Sequence, residues 1–350
     1  MTIKLAFIGF GGVGQALAEI ILERKRLLEE EHGLNVSVVA VADMIKGSIY
    51  NPEGLDVSKL LSCVREYGSV ENYPDDAKTI KGWTNTETIK NSNADVIVEV
   101  TFTDVKTGEP AITHCRTAFE NRKSVITTNK GPVALAFEEL SELARENGVF
   151  FGFEGTVMSG TPALRMPKTT LLGNKIKEIK GILNGTTNYM ITEMEKGLSY
   201  KEALEKAQKL GYAEADPTSD VEGYDARYKT AILSNYIMGV PISHTDVECI
   251  GISGLTVEDI QSALEDDEKY RLLARITSEG GSVKASVKPE RIAIDDPLAS
   301  VTGATNAIVY ECDLAGPIML TGAGAGLKET GFSLLIDLIH YHQQLILAKI

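Results

Sequence analysis

The sequence holds no apolar run near the roughly 20 residues that a membrane-spanning helix requires, and its first residues lack the layout of a secretory signal. It also holds no C-x-x-C pattern. The four cysteines, Cys63, Cys115, Cys249 and Cys312, are far apart, so a reduced cytosolic setting is the simplest reading. The five histidines include no H-E-x-x-H, which leaves little case for a transition-metal site. Positive charge is short as well: 35 lysines and arginines face 49 acids, for a net charge of -14. Such a chain repels nucleic acid and anionic lipid, and neither is expected as a partner. What is present is an ordinary globular composition, 43% hydrophobic and 24% charged over 350 residues. That length allows two domains with cores of their own.

The first part of the chain alternates. KLAFI (4–8) is a short apolar run bounded by glycine and reads as a buried strand. GFGGVG follows, in which Gly9, Gly11 and Gly14 fit G-x-G-x-x-G, with Phe10, Gly12 and Val13 between them. A helical stretch is expected from about Gly12 to Glu31, and a second buried strand then ends on Asp43. ADVIVEVT (94–101), KSVITTNK (123–130) and GVFFGFEG (148–155) read as further strands with helices between them. Strands alternating with helices predict a parallel sheet covered on both faces. In that setting the glycines allow a tight turn, a close approach to a pyrophosphate and close helix–strand packing, and the helix N-terminus faces the phosphates. The alternative is a structural glycine turn. Asp43 lies 29 positions after Gly14, further than the usual spacing of about 20. The long helix and the charged EEEHG turn can absorb the excess. Asp43 suits the ribose hydroxyls of NAD, and Lys46 suits a 2′-phosphate, so NAD and NADP both stay open. ERKRLLEEEH (23–32) reads as a solvated helix face.

The stretch GYAEADPTSDVEGYDARYK (211–229) concentrates Glu214, Asp216, Asp220, Glu222 and Asp225 ahead of Lys229. A capping box, Ser199 to Glu202, predicts a helix to about Leu210, which Gly211 stops. Asp216-Pro217 marks a turn, and from about Gly223 the pattern is helical again. Asp225 and Lys229 are four apart and fall inside the apolar arc with Ala226, Ile232, Leu233 and Tyr236. Charges on a core-facing side cost free energy unless they are paired or face a cavity. The plain reading is an i,i+4 salt bridge. The sharper one is a cleft in which a desolvated lysine handles a proton.

With these residues assembled, the stretch resembles the signature of the homoserine dehydrogenases: Ala207, Gly211, Asp216-Pro217, Asp220-Val221, Gly223, Asp225 and Lys229 stand at the family's spacing. TTNKG (127–131), FEGTVMSGTP (153–162), NGTTNY (184–189) and GAGAG (322–326) extend the likeness over nearly the whole chain. The resemblance implies an α/β fold: a Rossmann-type, doubly wound parallel sheet over 1–150, an α+β catalytic and dimerisation domain over 151–315, and a C-terminal helix, 316–350, returning to the nucleotide domain. It implies reversible hydride transfer between L-homoserine and L-aspartate 4-semialdehyde with NADP or NAD, serving threonine, methionine and isoleucine synthesis, in a cytoplasmic homodimer.

Carried over to this chain, the resemblance makes Lys229 the proton donor and acceptor, with Lys130 assisting from the end of a strand and Asp225 orienting the reacting end. Glu214 and Asp220 hold the substrate ammonium, and Asn184, Gly185 and Thr186 contribute backbone and hydroxyl contacts. Thr101, Lys130 and Gly326 join the glycine loop and Asp43 at the cofactor. Glu154, Val157, Ser159 and Thr161 match a loop that binds a monovalent cation, usually sodium; a glycine-rich connection is the alternative. The chemistry supports the roles on its own terms, because an ammonium substrate calls for carboxylates and an alcohol oxidation calls for a base. Asp216 and Glu222 are expected to be a turn former and a solvated charge. Phe102 places a bulky ring beside the nicotinamide edge that the resemblance implies. The chain ends soon after its final helix, so a short enzyme without a built-in threonine site is expected. The rivals are a dehydrogenase of another small amino-acid alcohol and a non-catalytic dinucleotide sensor.

Overall fold

The computed structural model describes residues 2–104 and 106–348. They fall into two compact units, 2–156 with 326–348, and 157–325.

The first unit is built on a seven-stranded sheet: β1 (Thr2–Ile8), β2 (Asn35–Asp43), β3 (Gly47–Tyr50), β4 (Ile80–Lys81), β5 (Val96–Glu99), β6 (Ser124–Thr127) and β7 (Phe151–Gly152), in the order β4-β3-β2-β1-β5-β6-β7. The run at 148–155 thus supplies only two strand residues. β1, β2, β5, β6 and β7 are parallel, as the alternating pattern requires. β3 and β4 extend one edge antiparallel. Only residues 44–46 separate β2 from β3, too few for the crossover a parallel return needs. Strand order reverses at β1, so the ligand crevice of such a sheet lies beyond the carboxyl ends of β1 and β5. Both faces are covered. Phe7, Leu17, Val41 and Leu338 pack on one side, and Ile8, Ala40, Ile97 and Phe119 on the other.

The single helix expected from Gly12 to Glu31 is two, Gly12–Glu23 and Lys25–His32, with Arg24 turning between them at φ -102° and ψ 8°. The first buries six residues and the second only Leu28, so little apolar burial holds the second in line with the first. Together with Gly33 and Leu34 the extra helix accounts for the long spacing from Gly14 to Asp43.

The second unit carries a six-stranded sheet: β8 (Ile176–Ile182), β9 (Glu248–Cys249), β10 (Glu268–Glu279), β11 (Ser282–Ala293), β12 (Thr305–Cys312) and β13 (Gly316–Ala323), in the order β13-β12-β8-β10-β11-β9. All its pairings are antiparallel except that of β9 with β11. The helix Gly185–Glu195 starts just past the end of β8 and is buried from Thr186 to Met194. Its far end is pinned by Arg271, fully buried, whose guanidinium donates to Glu195 Oε1 at 2.5 Å and to the Ala299 carbonyl at 2.7 Å. The expected capping box is present: Ser199 opens the helix Tyr200–Lys209 with Glu202 reaching back. Among the described residues no helix is long and apolar enough to cross a membrane.

Candidate active site

In the first unit the glycine loop sits between β1 and the helix Gly12–Glu23. Gly9 has φ +90°, and a Cβ there would stand 2.6 Å from the Val100 carbonyl oxygen, so no other residue fits. A Cβ at Gly11 would meet nothing within 4 Å, which leaves the backbone open to approach. Gly11 also caps the helix without any side-chain bond, so the first-turn N–H groups keep their capacity for an anion. These features fit the pyrophosphate of a dinucleotide.

Asp43 ends β2 and faces this loop. Its Oδ2 accepts from Phe10 N at 2.7 Å, and its Oδ1 accepts from Ile45 N and Lys46 N, each at 2.9 Å. Burial by itself would raise the pKa of this carboxyl; the backbone donors outweigh it and hold the value below 3.8. Lys130 departs from its expected place. β6 stops at Thr127, and Lys130 is the first residue of the helix Lys130–Leu135, which Asn129 precedes. Gly326 opens the final helix, Leu327–Leu347, at φ +135°. Phe102 is 89% exposed, so its ring does not pack beneath the strand ends.

In the second unit Asn184 is the centre. It caps the helix Gly185–Glu195, accepting from Thr187 N at 3.0 Å. Its Nδ2 donates to Asp220 Oδ1 at 2.7 Å and to Asp225 Oδ2 at 3.0 Å. Lys229, 6% exposed, donates to the same Asp225 oxygen and to the Leu183 carbonyl, both at 2.7 Å. The charges inside the apolar arc are therefore paired. Gly223, at φ +79°, turns the chain between Thr218–Val221 and Tyr224–Leu233 and lets Asp220 and Asp225 converge on one amide. Asp220 is pushed up from 3.8, first by its burial and then by the neighbouring Asp225, against the pull of Asn184, Lys229 and Thr186. Thr186 Oγ1 donates to the Tyr212 carbonyl at 2.6 Å.

The structure does not bring Glu214 into this group. It lies exposed, and its carbonyl accepts from Gln208 Nε2 at 3.0 Å. Asp216 accepts from Thr218 N at 3.1 Å and forms the expected turn. Of the loop matched to a cation site, Glu154 is buried in the first unit, with its N–H on Asp337 Oδ2 at 3.0 Å. Val157 and Ser159 are buried in the second, where Met158 and Ser159 take φ +58° and +52°; Thr161 lies beyond them. No group of three or more His, Cys, Asp or Glu among the described residues is arranged for a metal ion.

Reading by sequence missed Glu99. It ends β5 and is fully buried, and Thr101, His114, Thr127 and Asn129 all bond to it. The available signal was a single acid closing an otherwise apolar run.

The chain is similar to known proteins along most of its length. The family model described as Homoserine dehydrogenase matches residues 162–339. The chain belongs to the homoserine dehydrogenase family. A second model, Glutamate/Leucine/Phenylalanine/Valine dehydrogenase, matches residues 2–111. The NAD(+)-dependent homoserine dehydrogenase of Pseudomonas canavaninivorans is 46% identical, over 97% of this chain and 96% of its own. The homoserine dehydrogenase of Methanocaldococcus jannaschii is 40% identical, over 97% and 98%. A solved hyperthermophilic archaeal homoserine dehydrogenase in complex with NADPH superposes with a TM-score of 0.83, at 30% identity and covering 98% of each chain.

Proposed function

We propose that the second unit's Asn184–Asp220–Asp225–Lys229 cluster binds L-homoserine and moves its hydroxyl proton, so that this enzyme interconverts L-homoserine and L-aspartate 4-semialdehyde. One observation carries the reading: a buried lysine with two of its hydrogen-bonding positions committed, to Asp225 and to the Leu183 carbonyl. An ammonium offers three N–H groups. With two of them held, the third position of Lys229 is the working one. As an N–H it donates to the aldehyde oxygen during reduction; as a lone pair it takes the hydroxyl proton during oxidation. Asp225 and Leu183 hold the amine in place in both states. Asp220, half-buried and with no cationic partner bonded to it among the described residues, supplies the carboxylate for the substrate ammonium. A nicotinamide cofactor, which the glycine loop and Asp43 of the first unit would hold, would supply the hydride chemistry.

The reading extends to the choice of cofactor. Asp43 stays ionised, and its Oδ2 has one donor, which leaves a lone pair for a ribose hydroxyl. A carboxylate so placed repels a 2′-phosphate, so NAD is the preferred cofactor. A homodimer and a cytoplasmic setting complete the proposal and rest on the family likeness. Sedimentation and cell fractionation test them.

The test of the reaction is absorbance at 340 nm with L-homoserine and each cofactor, on the wild type and on Lys229→Ala. Homoserine-dependent reduction that vanishes in the variant supports the reading. No reduction with either cofactor, despite measurable cofactor binding, moves the weight to another amino-acid alcohol or to a sensor.

A further inference from the structure

We propose that Glu99 is a positioning residue of the reaction, whose buried carboxylate fixes the segments bearing Thr101 and Lys130. The inference rests on the reading that those segments face the cofactor. Glu99 Oε1 accepts from Thr101 Oγ1 at 2.5 Å and from His114 Nδ1 at 3.1 Å. Its Oε2 accepts from Asn129 Nδ2, and Thr127 Oγ1 lies 3.3 Å from it. Further bonds close the group. Asn129 Nδ2 donates to the Thr101 carbonyl at 3.0 Å, Asn129 N donates to Thr127 Oγ1 at 3.0 Å, and Thr127 Oγ1 donates to the Glu99 carbonyl at 2.8 Å. Thr101 leaves β5 and Asn129 leaves β6, so one carboxylate ties together the chain beyond two adjacent parallel strands. Asn129 immediately precedes Lys130 and the helix it begins.

The second layer is set as well. A carboxylate acceptor requires the His114 proton on Nδ1, which leaves Nε2 to accept from Asn85 Nδ2 at 3.4 Å. Glu99 and Thr127 are fully buried, and His114 is 4% exposed. A buried carboxylate is a costly way to fill a core, and apolar residues of similar volume commonly stabilise as well or better. What it adds is direction: a fixed acceptor for donors on two segments that leave adjacent strands. Such directional support beneath a reacting centre is how a site keeps its geometry.

The experiment compares Glu99→Gln with the wild type in turnover, homoserine KM, NADH affinity by fluorescence and thermal unfolding. The amide turns one acceptor oxygen into a donor facing donors. We expect kcat to fall by on the order of 10- to 100-fold, with KM and the NADH Kd changed less than about threefold, since the glycine loop and Asp43 still grip the cofactor. The double variant Glu99→Gln/Thr101→Val is no slower than the slower single one, because the two act in series. If Glu99→Gln fails to fold, Thr127→Val removes a hydroxyl from the same group and is expected to show the same kcat-specific loss. A folded Glu99→Gln with kcat within about twofold of wild type overturns the proposal. So does a loss in which KM and Kd rise in step with the fall in kcat, or losses that multiply in the double variant. Lys130→Ala in the same assay separates the two levels. If it keeps full activity, the reading of the cofactor face fails. If it is inactive while Glu99→Gln is normal, only the role of Glu99 fails.

Discussion

Asp43 in the first unit and Asp220 in the second are both partly buried acids to which the proposed function assigns a ligand, and their surroundings move them in opposite directions. Asp43 collects backbone N–H groups from Phe10, Ile45 and Lys46, and its carboxyl is held below the ordinary value. Asp220 has one side-chain amide, Asn184, and a second carboxylate nearby, and its burial pushes it up. Backbone donors are part of the fold, so the charge at Asp43 is settled before any ligand arrives. Asp220 is left wanting a cation, which an ammonium substrate brings. On the proposed function, the cofactor end is prepared by the backbone and the substrate end is completed by the substrate.

The largest expected effect falls on the second unit alone. Lys229→Ala should lower turnover by about a thousandfold in either direction, the scale of a lost general acid–base. Asp220→Asn comes next: homoserine KM should rise by roughly 10- to 100-fold, as for a lost charge-assisted bond, with the NADH Kd unchanged. Asp43→Asn is the mirror image. NADH binding should weaken by about tenfold and the preference over NADPH should narrow, while homoserine KM holds. Any one of these spilling over to the other ligand breaks the comparison.

The smallest effect sharpens it through pH. Asp43 has a lowered folded value, so its contribution to stability is present above 3.8 and is lost as pH falls through that lowered value. Asp220 has a raised value, so its contribution is present below 3.8 and is lost as pH rises through the folded value. At neutral pH, without ligands, Asp43→Asn should therefore melt lower than wild type and Asp220→Asn higher, each by about 1–3 °C. Acidification through the raised value of Asp220 should weaken homoserine binding before it weakens NADH binding. Melting curves and titrations from about pH 3 to 8 check both signs; shifts of the same sign in the two variants would remove the contrast.

The sequence made the first unit easier to read than the second. Parallel strands buried on both faces appear as apolar runs, so β1, β2, β5 and β6 stand out, and the glycine loop and Asp43 follow from their places between them. The pair Asp225 and Lys229 was also legible, because a four-residue spacing inside an apolar arc is local information. Sorting Glu214 from Asp220 was not. Both are acids of one polar stretch, and only the left-handed turn at Gly223 and the distant Asn184 bring Asp220 inward. Glu99 was hidden for a similar reason, since its partners come from three separate parts of the chain. The sheet of the second unit pairs β12 with β8, strands more than a hundred residues apart, and no local pattern announces that pairing.

The most direct test is a paired measurement on one preparation of Lys229→Ala: NADH affinity by fluorescence titration, and homoserine turnover. The account expects affinity within about twofold of wild type beside a turnover lost by about a thousandfold. Affinity that falls together with turnover would contradict it, because cofactor binding and proton transfer would then depend on the same residue.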